Sequence, residues 1–232
     1  MILFGPPGVG KSVYCSMLEK DLGLKQFSTG EFSRFLRPAN LEQNKMFNHE
    51  EVLDIESKVK NGELLNDEII NKIVKPRLIE AQSNGIILDG FPRTLNQAKF
   101  LSENLRIDMM FSISLRQDIL IRKLIGRRIC PQCSQAYNIV TINEDGYDIP
   151  PMLPKNNPCQ CDNCKVEFIQ RHDDVQEVIE KRQLIYMDQM KDILDYYRES
   201  GLLCEFEPKK GINDYPKMLD AVIEFVNKRE VV

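Results

Sequence analysis

Apolar and polar positions follow two alternating rhythms along the chain. Four short runs are almost wholly apolar: Met1–Phe4, Gly85–Leu88 (GIIL), Asp108–Leu115 (DMMFSISL) and Leu202–Phe206 (LLCEF). Runs of that length and continuity suit strands buried on both faces. Between them the pattern takes a helical period. It predicts helices over Lys11–Leu22 (Val13, Met17 and Leu18 on one side), Glu50–Val59, Asp67–Ala81, Thr94–Asn104, Gln117–Arg128, Val175–Glu199 and about Asp214 to Lys228. Strands that alternate with helices predict an α/β fold, a parallel sheet with helices on both faces. Pro76 falls inside the predicted helix Asp67–Ala81, where it should kink the helix or end it early, since a run-through costs roughly 3 kcal/mol.

Two segments break the alternation. Residues 29–66 are helical and polar, without a strand, and residues 129–170 are rich in Pro, Asn and Cys, without a helical period. Both read as insertions into the α/β core. No internal repeat is present.

The turn after the first strand carries the clearest chemistry. Gly5–Ser12 reads GPPGVGKS and fits the phosphate-cradling loop G-x-x-x-x-G-K-[ST] between a strand and a helix. Glycines let successive N–H groups face one anion, and the following helix adds its positive end. Lys11 would reach the β/γ-phosphates, and Ser12 would offer its hydroxyl to Mg²⁺. A plain Gly/Pro turn leaves Lys11 and Ser12 without a reason.

Composition narrows the partners. The net charge of −4 excludes a large nucleic-acid or membrane footprint. Phosphate ligands must then be held by local Arg and Lys clusters. No apolar run approaches a membrane span. The first strand begins at residue 1, so no signal peptide is expected. The cytoplasm is the expected compartment, with the mitochondrion as the alternative if a targeting segment was trimmed.

Seven cysteines are present, and Cys130, Cys133, Cys159, Cys161 and Cys164 cluster. Cys130-Pro-Gln-Cys133 and Cys161-Asp-Asn-Cys164 form two C-x-x-C pairs separated by 27 residues. In a nucleotide-using chain this pattern reads as metal rather than disulfide, and four thiolates suit tetrahedral Zn²⁺. Cys159 is a spare thiol that could replace Cys161. Reduced cysteines without metal are the bland alternative. Cys15 and Cys204 lie in apolar contexts and read as core.

Two further constellations follow. In Phe27-Ser28-Thr29-Gly30-Glu31, Thr29 could bond a base or cap a helix, and Arg34, one turn on, could grip a phosphate as a planar fork. Taken alone, these read as an N-cap and a surface arginine. Asp89-Gly90-Phe91-Pro92-Arg93-Thr94 ends the GIIL strand, where parallel sheets bind ligands. Asp89 could hold Mg²⁺ through waters, Arg93 a phosphate, and Gln97 a base edge. A strand-end turn before a capped helix is the plain alternative.

GPPGVGKS, STGEFSR, DGFPRTLNQA, GRR and RHDD, in this order, resemble adenylate kinase and, more broadly, the long-lid nucleoside monophosphate kinases. The likeness spans nearly the whole chain. It implies a P-loop core over 1–28, 67–128 and 174–232, a helical monophosphate-binding insertion over 29–66, and a Cys-rich lid over 129–173. It implies reversible transfer of a γ-phosphoryl from Mg·NTP to AMP, giving two diphosphates. The donor loop would be Gly5, Gly8, Val9, Gly10, Lys11, Ser12 and Val13. Arg34 and Arg93 would bind the acceptor phosphate beside Gly90. Thr29 and Gln97 would contact an adenine, and the Gly62–Leu65 stretch would pass over the acceptor nucleoside. Arg127, Arg171 and Arg182 would surround the transferring phosphoryl with Lys11, Arg93 and Asp89, and Asp173 and Asp174 would sit at the lid hinge. The paired cysteines match the zinc-containing lids of some relatives. There Zn²⁺ would be structural, stiffening a lid with little apolar content. The resemblance also implies a monomer.

Three departures bear on this. Glu31 stands where the family commonly has Asp. Lys123 takes the place of an arginine that stacks on the donor base, while Arg122 lies about 100° round the helix. An additional stretch near Pro38–Phe47 enlarges the acceptor insertion. ATP is the expected donor. GTP:AMP phosphotransfer is the first alternative, and a UMP/CMP-type kinase is disfavoured by Thr29 and Gln97. An adenylate-kinase-like nucleotide-binding protein with little turnover is the alternative of a different class.

Overall fold

A computed structural model describes residues 1–35 and 46–230, without the side chains of residues 31, 34, 35, 82–84 and 230. Five parallel strands form the central sheet: β1 (Ile2–Phe4), β2 (Lys25–Ser28), β3 (Ile86–Asp89), β4 (Met110–Ile113) and, later in the chain, Leu203–Phe206. Four shorter strands, described below, precede that last one, so it is β9. The order across the sheet is β2-β3-β1-β4-β9. Registers Leu3↔Asp89 and Ser28↔Asp89 bring the carboxyl ends of β1, β2 and β3 together.

Alternate strand residues serve opposite faces. Ile2, Phe4, Leu88 and Met110 join one buried cluster; Leu3, Ile87, Phe111 and Ile113 join the other. The first is covered by α3 (His49–Lys60), α4 (Asp67–Asn84), α5 (Leu95–Asn104) and α7 (Gln176–Glu199). The second is covered by α1 (Lys11–Leu22), α6 (Gln117–Ile125) and α8 (Tyr215–Glu230). The result is the three-layer α/β architecture expected from the alternation. A short helix, α2 (Thr29–Phe35), leads out of β2. No described helix is long and apolar enough to cross a membrane.

The sequence pattern and the structure part at four places. β2 was not foreseen: it is an edge strand, KQFS, in which only Phe27 is buried, too short to show a period. Pro76 neither ends α4 nor sits near its end, because the helix continues to Asn84. Ile69, Ile70, Ile73, Val74, Leu78 and Ala81 are buried on either side of it, and that packing outweighs one lost hydrogen bond. The helix predicted to Arg128 stops at Ile125, and Arg127–Ile129 forms β5.

The Cys-rich insertion also contains strands. β5 pairs with β6 (Ala136–Asn138), and β7 (Ile142–Glu144) with β8 (Tyr147–Ile149), both antiparallel. The β7–β8 turn is Asp145-Gly146, with both residues at positive φ, the geometry that hairpins of this length demand. Ile142, Tyr147 and Ile149 pack into the second core cluster. Arg116, at the start of α6, reaches Asp118 at 2.6 Å, Glu144 at 2.7 Å and Asp145 at 2.6 Å, so the hairpin is docked on the core.

Candidate active site

The loop after β1 opens α1 without a side-chain cap; Gly10, at φ 109, occupies the cap position. The first helical N–H groups are therefore left to face a ligand. Gly8 has φ +90, and an added Cβ would lie 2.8 Å from the Leu120 carbonyl oxygen and from Leu124. Only glycine fits there. Lys11 Nζ donates to the carbonyls of Gly5 at 2.7 Å and Pro6 at 3.0 Å, folding the side chain back over its own loop. Burial depresses its pKa to about 8, opposed by the nearby Asp89 charge. Ser12 Oγ donates to Asp89 Oδ2 at 3.2 Å, which sets a hydroxyl and a carboxylate together as hard oxygen ligands suited to Mg²⁺.

Two cavities open from this loop. The smaller, about 150 Å³, is bounded by Gly5, Thr29, Leu65, Gly90, Gln97 and the α7 face that carries Tyr186, Met190 and Ile193. The larger, about 590 Å³, is bounded by the rest of the loop from Gly8 to Val13, by Asp89, Lys123, Arg127 and Arg171, and by the lid residues Cys133–Asn138. Lys11, Gly90, Arg93 and Arg182 line both. Every described site residue named from the sequence therefore borders one cavity or the other, apart from Asp174 and three lid cysteines; the side chains of Arg34 and Glu31 lie outside the described residues. The stretch near Pro38–Phe47 falls outside them up to residue 45.

Acidic partners hold the arginines. Arg127 donates through Nε to Asp174 at 2.8 Å and through Nη2 to the other carboxylate oxygen. Arg182 Nη1 donates to Asp173 at 2.8 Å, and burial lowers its pKa to about 10. Both carboxylates are nearly fully buried, so each pair fixes a guanidinium rather than merely solvating it. Gly62, at φ +68, packs on Arg182: an added Cβ would lie 2.7 Å from its Cγ. This contact brings the 62–65 stretch over the smaller cavity.

In that cavity Thr29 Oγ1 donates to the Gly90 carbonyl at 2.8 Å, leaving lone pairs for a ligand. Arg93 Nε donates to the same carbonyl at 2.8 Å. Gln97 is buried; its Oε1 accepts from the Arg93 backbone N–H at 2.8 Å and its Nε2 donates to Asp67 at 2.9 Å.

Sequence reasoning missed Gln183. Its buried amide donates to the Pro7 carbonyl at 3.1 Å, tying α7 to the phosphate loop. The signal was present: Gln183 stands on the otherwise apolar stripe Ile179, Tyr186, Met190, Ile193. Lys123 lies beside the loop, with Nζ 3.4 Å from the Val9 carbonyl, and burial lowers its pKa to about 8. Arg122 points away, to Glu144 at 2.9 Å.

The Sγ atoms of Cys130, Cys133, Cys161 and Cys164 lie within 4.8 Å of one another. Cys159 is exposed and outside the group. Two turns of the same shape present them: Ser134 N–H returns to the Cys130 carbonyl and Lys165 N–H to the Cys161 carbonyl, both at 2.9 Å, with positive φ at Ser134 and Lys165. Zn–S bonds of about 2.3 Å require sulfurs roughly 3.8 Å apart, and the Cys133–Cys161 separation is 3.6 Å. The donor set fits Zn²⁺. The Tyr137 hydroxyl donates to Cys161 Sγ at 3.5 Å and is the leading cause of a thiol pKa near 6. A strong chelator is expected to lower the melting temperature by roughly 5–10 °C while turnover persists at first; differential scanning with elemental analysis checks this, and zinc-free protein from zinc-supplemented expression would refute it.

The adenylate kinase family model matches residues 3–202. An adenylate kinase of Thermotoga neapolitana is 33% identical over 221 residues, covering 92% of each chain. A probable chloroplastic adenylate kinase of rice, Oryza sativa subsp. japonica, is 36% identical over 228 residues, covering 94% of this chain and 73% of that one. A protein of Plasmodium falciparum named GTP:AMP phosphotransferase is 32% identical over 231 residues, covering 97% and 96%.

Proposed function

This chain belongs to the adenylate kinase family, a family of nucleoside monophosphate kinases, and we propose that it transfers a phosphoryl group from Mg·ATP in the larger cavity to AMP in the smaller one. The observation that carries this is the junction: Lys11, Arg93 and Arg182 border both cavities at once. Two phosphate chains entering from opposite sides would meet between these cations. Phosphoryl transfer needs positioning and charge neutralisation more than covalent chemistry.

The proposed roles rest on the family resemblance together with this geometry. The loop from Gly5 to Val13 cradles the donor phosphates, and Lys11 swings from its own carbonyls onto them. Ser12 and Asp89 would hold Mg²⁺ with the nucleotide, where it would supply charge neutralisation on the donor phosphates. Arg34 and Arg93 bind the acceptor phosphate, while Thr29, Leu65 and Gln97 surround the acceptor base. Arg127, Arg171 and Arg182 close round the transferring group; Asp173 and Asp174 hold two of them in place beforehand, so little reorganisation remains for the reaction. Residues 1–28, 67–128 and 174–232 act as the core, 29–66 as the monophosphate-binding insertion and 129–173 as the lid, whose closure excludes water from the donor. Zn²⁺ on Cys130, Cys133, Cys161 and Cys164 would stiffen the lid without entering the chemistry. We read the enzyme as a cytoplasmic monomer with nucleotides as its ligands.

A second donor assignment has its own support. Lys123, rather than an arginine, borders the donor cavity, and the Plasmodium relative is named for GTP. GTP is therefore the rival to ATP.

Initial rates distinguish direct transfer from a covalent relay. With both substrates bound at the junction, double-reciprocal plots should intersect. Parallel lines, the mark of a phosphoenzyme, would overturn the proposal.

The depressed Lys11 pKa sets a pH dependence. The ammonium is the binding form, and it is lost in free enzyme as pH rises through about 8. The donor kcat/KM should therefore fall above that pH, while kcat should hold to a higher pH, because bound phosphate favours the charged amine. A flat kcat/KM from pH 7 to pH 9.5 would contradict the role of Lys11. Lys123 shares the same range, so the profile should be repeated in Lys123→Arg, where the decline should remain.

A further inference from the structure

We propose that Asp67 is a specificity-determining residue: it locks the side-chain amide of Gln97 in the one orientation that reads a 6-aminopurine monophosphate and rejects a 6-oxopurine. This rests on the reading that Gln97 contacts the acceptor base.

A glutamine amide offers two lone pairs on Oε1 and two hydrogens on Nε2. In this site one of each is already used. The Arg93 backbone N–H donates to Oε1 at 2.8 Å, and Nε2 donates to Asp67 Oδ1 at 2.9 Å. One lone pair and one N–H remain for the cavity that Gln97 borders. The Watson–Crick edge of a 6-aminopurine presents a donor at the exocyclic amine and an acceptor at N1, the complement of that remainder. A 6-oxopurine presents an acceptor at O6 and a donor at N1–H, the reverse.

The amide could match the reversed edge only by flipping, and both of its protein partners oppose the flip. A backbone N–H cannot accept from Nε2, and a carboxylate cannot donate to Oε1. The chemistry of the two partners by itself fixes which end of the amide faces each of them. Gln97 is almost fully buried, so water cannot take over a lost partner cheaply. The arrangement also gives Asp67 a duty beyond its place in the first turn of α4, where any acid would favour the helix terminus.

Asp67→Asn keeps the size and removes the carboxylate's opposition to a flipped Gln97 amide, leaving only the Arg93 N–H against it; Asp67→Ala removes the partner. In each, kcat/KM is measured with AMP and with IMP in the full-length enzyme. The preference for AMP should fall at least tenfold, in line with one well-made base contact, with the KM for the donor unchanged within twofold. A purely structural Asp67 would lower the melting temperature and leave the AMP:IMP ratio where it was, and that result overturns the proposal. Gln97→Ala separates the premise from the inference. If it raises the AMP KM tenfold or more while the Asp67 variants keep the wild-type ratio, the lock alone is wrong. If it leaves the AMP KM unchanged, Gln97 does not touch the base and both fall.

Discussion

Lys11→Ala should lower kcat about a thousandfold, the size of effect seen when one cation or donor aimed at a developing phosphoryl or oxyanion charge is removed. The fold should not suffer. A lysine whose pKa is pulled down to about 8 by burial is a group whose charge costs stability at neutral pH, since the folded state binds its proton less tightly than the unfolded chain does. The lost contacts to the Gly5 and Pro6 carbonyls offset part of that gain. The expected result is near-complete loss of turnover with a melting temperature unchanged or slightly raised. Kinetics and scanning calorimetry on one preparation test it. Near-normal turnover would refute the donor-loop assignment, and collapse of the fold would refute the account of its burial.

Arg93→Ala should raise the KM for AMP about a hundredfold. Arg93 borders both cavities, but its Nε donates to Gly90, the same carbonyl that Thr29 uses, and its backbone N–H is engaged with Gln97. It thus belongs to the wall of the smaller cavity, and a guanidinium held there is worth a charge-assisted bidentate bond to a phosphate. Alanine keeps the backbone N–H and hence the Gln97 contact, so the loss should fall on the acceptor phosphate. The KM for the donor should change less than threefold. Equal losses for both substrates would remove Arg93 from the acceptor side.

The sequence made the core legible because β1, β3 and β4 are buried along their whole length and its helices are long. β1, β3 and β4 lie in nearly continuous apolar runs, β9 shows the same run at the sheet edge despite its exposed Glu205, and α7 carries its apolar stripe from Ile179 to Tyr197. What escaped notice was short or depended on distant packing. β2 is four residues with one buried side chain, and only its pairing with β3 makes it a strand. The β7–β8 hairpin had a local signal in Asp145-Gly146, but its alternation was too brief to stand out from a Pro- and Asn-rich segment. Pro76 does not end α4, because the helix is held by its packed neighbours, which propensity alone does not weigh. The phosphate loop could be read from spacing, since its chemistry is local. Asp67, Gln183 and the grip of Asp173 and Asp174 on the arginines could not, because each acts on a residue far away in sequence or makes sense only once both partners are placed. The C-x-x-C pairs pointed to clustered thiols, and the structure groups Cys161 rather than Cys159 with the other three.

The central claim is tested most directly by crossing donors with acceptors: ATP, GTP, ITP, UTP and CTP against AMP, GMP, UMP and CMP, with Mg²⁺, reading diphosphate formation. The account predicts fast turnover in the AMP column alone, highest with ATP. Fast turnover with AMP and GTP but not ATP would keep the chemistry and reassign the donor. Nucleotide binding without turnover in any combination would contradict the account.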